Sequence, residues 1–152
     1  MDKIIISDTS CLIALGNIGL LGILKGLYKE IIITQEVKDE FGDDLPDWII
    51  IRKVINITRQ AEIALRLDRG EASSIALALE LKNSILIIDE IKGRTVAKSY
   101  NLEIIGTIGI LLLADKNGLI KDFMSTIRLL MNKGFRVSDK LIGKLIEKYD
   151  KK

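Results

Sequence analysis

Residues 4–10 read Ile-Ile-Ile-Ser-Asp-Thr-Ser (IIISDTS), an apolar run that ends on an acid and two hydroxyls. Residues 3–7 do not alternate with polar side chains, so they are predicted as a short strand buried on both faces. EIIIT at 30–34, SILII at 84–88 and LEIIG at 102–106 share this character, and 49–57 reads as a strand or extended segment. Helices are predicted at 9–16, 19–27, 35–41, 58–67, 71–82, 91–100 and 108–117. Thr34 is placed as an N-cap, and Asp68-Arg69-Gly70 as a break. Continuous apolar strands alternating with helices predict an α/β fold whose parallel sheet is covered on both faces. Beyond Gly118, two amphipathic helices are expected. Phe123, Ile127, Leu130 and Met131 share a face of the first; Val137, Leu141, Leu145 and Ile146 share a face of the second. The reading is one domain over 1–152, with a core of about 3–118 and a helical extension of about 119–152.

The 152 residues suffice for a core without covalent staples. Aromatics are only 5%, so that core must be built from Ile, Leu and Val. The single cysteine, Cys11, cannot form an internal disulfide, which suits a reducing cytoplasm. It sits on an apolar helix face and reads as core. No signal segment is expected, and no apolar stretch reaches the ~18 residues of a membrane helix. A net charge of +2 neither draws the chain to nucleic acid nor excludes it. There is no histidine. That removes histidine acid–base catalysis, Ser-His-Asp and Cys-His nucleophiles, and histidine metal sites. Hydrolytic chemistry would have to rest on carboxylates.

Open parallel sheets place their sites outside the carboxyl ends of the strands. Asp8 follows the first strand, and Asp89 and Glu90 follow SILII. If those strands are neighbours, Asp8 and Asp89 face one crevice. In QEVKDEF, Val37 and Phe41 point inward, and Glu40 is the acid nearest that stripe. Glu71 shares a helix face with Ser74, Ile75 and Ala78. Carboxylates gathered this way would repel one another unless a hard cation, Mg²⁺ or Mn²⁺, neutralised them. Each acid also has a structural reading. Asp8 and Asp89 suit helix caps, Glu71 a first-turn acid complementing the helix dipole, and Glu40 a solvated helix face. Other ligand-binding and catalytic motifs fit less well. Gly16, Gly19 and Gly22 do not form G-x-G-x-x-G, and no phosphate-binding G-x-x-x-x-G-K-[ST] is present. Ser10 stands where a haloacid-dehalogenase-type phosphatase needs a second aspartate, and a receiver-like switch would want a lysine where Gly106-Thr107 stands.

The blocks IIISDTSCLIAL, IIITQEVKDEF, GEASSIALALE and ILIIDEIKGRTVAKSYNLEIIGTIGILLLA, in this order, resemble the PIN domain. More narrowly, they resemble small prokaryotic PIN proteins that include VapC-type toxins. The resemblance implies a three-layer α/β/α sandwich, an acidic pocket for Mg²⁺ or Mn²⁺, and endoribonuclease activity. By position it assigns Asp8, Glu40, Glu71 and Asp89 as catalytic and metal-holding acids. Glu90 is an alternative last ligand, and Ser10 and Thr9 support the site. The hydroxyl often found two residues before the last acid is replaced by Ile87 or Ile88. RNA would be the substrate, Lys92 and Arg94 its possible phosphate contacts, with Arg52, Lys53 and Arg69 as further candidates. A homodimer and an antitoxin partner are expected on the same basis. The rival reading is a catalytically silent scaffold that binds RNA or protein.

Overall fold

Ile4–Ser7 of the opening run form strand β1 in the computed structural model. The structure describes residues 3–149; the ends of the predicted domain, 1–2 and 150–152, lie outside them. In chain order there follow α1 (Thr9–Asn17), α2 (Gly22–Tyr28), β2 (Ile31–Ile33), α3 (Gln35–Phe41), β3 (Ile49–Ile51), α4 (Ile57–Ala64) and α5 (Arg69–Glu80). Then come β4 (Ser84–Ile87), α6 (Ile91–Ser99), β5 (Glu103–Ile105), α7 (Thr107–Lys116), α8 (Phe123–Asn132) and α9 (Asp139–Tyr149). All strand pairs are parallel, in the order β3-β2-β1-β4-β5.

Successive strand residues serve opposite faces, which is why the runs are apolar throughout. Ile5, Ile31, Ile33 and Ile87 join Leu12, Leu15, Leu24 and Ile110 on one side of the sheet. Ile6, Ile32, Leu86 and Ile88 join Ile63, Ala72, Ile75 and Val96 on the other. The result is a three-layer α/β/α fold, and α8 and α9 add Phe123, Ile127, Leu130 and Leu145 to the first side. Each fully buried aliphatic side chain contributes about 1.5–3 kcal/mol. No single helix among the described residues is long and apolar enough to cross a membrane. The bent pair α1 and α2 passes that test by length and composition, but buries Leu12, Leu15 and Leu24 in the core.

Several predicted boundaries shift, each for a local reason. The segment 49–57 keeps only three strand residues, because the chain leaves the sheet edge after Ile51. The Glu80 carboxylate accepts from the backbone N–H of Ile55 and Asn56, and Asn56 caps α4. The break between α4 and α5 falls at residues 65–68, not at Asp68-Arg69-Gly70. Asp68 caps α5, which therefore begins at Arg69 rather than at 71, while α4 stops at Ala64 to free the chain for that turn. In the last two helices the buried stripe is narrower than predicted: Met131 is 37% and Ile146 43% exposed.

Candidate acidic site

Chain order along the sheet reverses between β1 and β4, since β2 and β3 lie on one side of β1 and β4 and β5 on the other. At such a switch point, connections leave in opposite directions and open a crevice. The parallel pairing runs to the strand ends: Asp8 N–H donates to Ile87 C=O at 3.0 Å, and Ile88 N–H to Ile105 C=O at 2.9 Å. Asp8 and Asp89 therefore leave adjacent strands at the same edge of the sheet. Asp8 is only 4% exposed, and its carboxylate accepts from Thr9 N–H at 2.7 Å, capping α1. Its capping role and its place at the crevice coexist.

Glu40 arrives from α3, whose start is set by the Thr34 hydroxyl accepting from Val37 N–H. Glu40 Oε1 accepts the Thr9 hydroxyl at 2.5 Å and Oε2 accepts Gly70 N–H at 3.0 Å. A Cβ at Gly70 would lie 2.8 Å from the Glu40 carboxyl carbon, so only glycine lets the carboxylate close on α5. Thr9, not Ser10, supplies the hydroxyl that reaches an acid. Ser10 is exposed and faces a hollow of about 240 Å³ toward Leu130 and Phe135.

Glu71 lies in the first turn of α5, which packs so closely that Gly70 through Ala78 are all buried. Small residues permit that approach; Ser73 and Ser74 return their hydroxyls to Gly70 C=O. Across the crevice, a Cβ at Gly93 would stand 3.2 Å from Glu71 Oε2, so Glu71 leans against the start of α6. Glu90 caps that helix by accepting Gly93 N–H at 2.7 Å. Asp89, one residue earlier, holds a different helix. Its Oδ1 accepts Thr107 N–H at 2.8 Å and its Oδ2 the Thr107 hydroxyl at 2.5 Å, which fixes the start of α7. A Cβ at Gly106 would come within 2.9 Å of Asp89 Oδ1. Thus Glu40, Glu71 and Asp89 each press on a glycine of another element.

A further acid belongs here that the sequence reading passed over. Asp68 accepts Glu71 N–H at 2.8 Å and lies close enough to raise the proton affinity of both Asp8 and Glu71. Its signal was an Asp-x-x-Glu capping box ahead of an apolar helix. Of the candidate cations, Arg94 donates to Ile88 C=O at 2.8 Å beside Asp89. Lys92, Arg52, Lys53 and Arg69 are exposed.

Burial pushes Asp8 up to about 7; the Thr9 N–H opposes this, while Asp68, Glu40 and Asp89 add to it. Burial likewise raises Glu71 to about 7, reinforced by Asp68, Asp8 and Glu90. By contrast, Cys11 is pushed to about 12 in the core and carries no reactive thiolate. No ion pair neutralises these acids among the described residues. An oxygen-only donor set under mutual repulsion suits a hard divalent cation. Among the described residues, however, no three acidic side chains already stand at metal-holding spacing. Glu40 and Asp89 are turned toward Thr9, Gly70 and Thr107 instead. A cation would have to draw the acids closer together.

The family model described as PIN domain matches residues 4–151. No curated protein matches the chain, and no solved structure does.

Proposed function

The chain belongs to the PIN-domain family, and from that membership we propose that it is a Mg²⁺- or Mn²⁺-dependent endoribonuclease. PIN domains are generally nucleases and typically bind divalent metals. One observation carries the reading to this chain. Asp8 and Asp89 leave neighbouring strands at the switch point, with Glu40 and Glu71 brought beside them from two helices. We assign Asp8, Glu40, Glu71 and Asp89 as the residues that would hold the cation, with Glu90 beside Glu71. When bound, such a cation supplies a more acidic water and positive charge near the scissile phosphate.

The chain's own groups do the rest. Thr9 holds Glu40 toward Asp8, and Thr107 holds Asp89 in place. Burial of Asp8 keeps its carboxylate short of water, so its charge acts strongly on anything placed against it. With no histidine in the chain, protons must pass through carboxylates and water. Arg94, anchored on Ile88, offers a cation for an RNA phosphate.

The four sequence blocks further support a VapC-like toxin, acting in the cytoplasm as a homodimer and restrained by an antitoxin. A second reading, a silent scaffold that binds RNA or protein, is favoured by the engagement of Glu40 and Asp89 with Thr9, Gly70 and Thr107 rather than with one another. Cleavage of single-stranded RNA with added manganese separates the two readings. The nuclease reading expects cleavage that EDTA abolishes and that a folded Asp8→Asn variant lacks. Equal activity of that variant rejects it.

A further inference from the structure

Two hollows adjoin the acidic site, and they differ in charge. One, of about 510 Å³, is lined by Glu36, Asp39, Glu40 and Asp68 against Arg69. A polyanion is repelled there. The other, of about 480 Å³, opens from Asp89 and runs between α7 and the segment joining α8 to α9. It carries two guanidinium groups, Arg94 at the site and Arg136 on the far wall, above an apolar floor that includes Ile108 and Leu112. Its volume lies within the roughly 300–1,000 Å³ of small-ligand sites.

The backbone on either side of Arg136 is fixed by its neighbours. Gly134, at φ +100, turns the chain after α8, a conformation that side chains rarely adopt. Two residues beyond Arg136, the Ser138 hydroxyl accepts Leu141 N–H at 3.1 Å and starts α9. Phe135 packs back on the core. Arg136 itself is exposed, and no carboxylate among the described residues pairs with it.

We propose that Arg136 seats an RNA phosphate adjoining the one at the acidic site, with the intervening sugar and base over Ile108 and Leu112. The strand then leaves the site along this groove, not along the acid-lined one. This inference rests on the nuclease reading and adds a binding residue to it. Arginine suits the task because its planar fork pairs with phosphate through two parallel N–H groups.

The test measures binding without cleavage. Asp8→Asn protein is titrated into a fluorescently labelled, single-stranded oligoribonucleotide at several salt concentrations. Adding Arg136→Ala weakens binding about 5- to 10-fold and flattens the slope of log K against log salt by about 0.7, one phosphate contact. Val137→Glu, which places a carboxylate in the groove, weakens it at least as much. Both variants melt as the parent does, because neither side chain is buried. Unchanged affinity and slope in both overturn the groove assignment while leaving the nuclease reading intact. Failure of the wild-type chain to bind or cleave RNA with added manganese at any salt overturns both.

Discussion

The Thr9 hydroxyl and Glu40 Oε1, 31 residues apart in the chain, are joined by a 2.5 Å hydrogen bond. This bond ties the exit of β1 to α3 and keeps a helix acid at the crevice. Thr9→Val keeps the shape and removes the donor. We expect manganese-dependent RNA cleavage to fall at least tenfold. Stability should drop by about 1 kcal/mol, the usual net value of one such bond. For a chain of this size that is roughly 2–4 °C in Tm. Thr9→Ser should restore both. Parental cleavage by the valine variant would show that Glu40 needs no tether.

Gly70→Ala separates the site from the fold. The added Cβ falls on the Glu40 carboxylate, the far end of a flexible side chain on an exposed helix. Glu40 can swing into solvent, giving up its bond from Thr9 at about 1 kcal/mol, and alanine offsets this by favouring the helix by up to about 1 kcal/mol. The expected outcome is a Tm within about 2 °C of the parent, with cleavage reduced as far as in Glu40→Gln. A variant that melts early but cleaves normally would reverse the assignment.

Asp8 and Glu71 predict an unusual pH dependence. Both carboxyls sit at about 7 in the folded chain against about 4 when unfolded. Between those values the folded state holds more protons than the unfolded one. Unfolding free energy therefore falls as pH rises from about 4 to about 7, and levels off above that. In EDTA, the melting temperature should be several degrees lower at pH 8 than at pH 5.5. Millimolar manganese should abolish most of that difference, because a cation bound to the folded state stabilises it where the acids are ionised. A Tm that climbs with pH in EDTA would contradict the burial of these groups. Asp8→Asn should flatten the profile.

The fold was readable because each strand is a short apolar run and the amphipathic helices, α8 and α9 among them, show a helical period. Thr34 was even recognisable as a cap. Asp8 and Asp89 were readable as strand-exit acids once the strands were taken as neighbours. What escaped depends on contacts between distant elements. Gly70, Gly93 and Gly106 matter because carboxylates from elsewhere press on them, and nothing local announces that. Asp89 was weighed as a cap for the helix that follows it. It instead holds α7, 18 residues on, while Glu90 takes the nearer helix. Asp68 was missed because its tripeptide looked like a turn, although the same residues form a helix start. Arg136 lies in a segment whose place beside Asp89 is set entirely by the packing of α8 and α9.

Asp89 and Glu90 can be told apart by what each holds. Glu90 is the N-cap of α6 and Asp89 accepts the Thr107 N–H at the start of α7, so truncating either to alanine should cost about 0.5–2 kcal/mol. An amide substitution is more discriminating. Asp89→Asn keeps an oxygen for Thr107 N–H, and its amide group can donate to the Thr107 hydroxyl. The start of α7 then survives while the negative charge is lost. Glu90→Gln likewise keeps an acceptor for Gly93 N–H. Both amide variants should melt within a few degrees of the parent. Isothermal titration with manganese should then show a loss of tenfold or more for Asp89→Asn and a smaller loss for Glu90→Gln. Asp89 lies at the strand exit beside Asp8, whereas Glu90 is exposed and acts on Glu71 from the rim. The opposite ranking would transfer the ligand role to Glu90 and leave Asp89 as a purely structural cap.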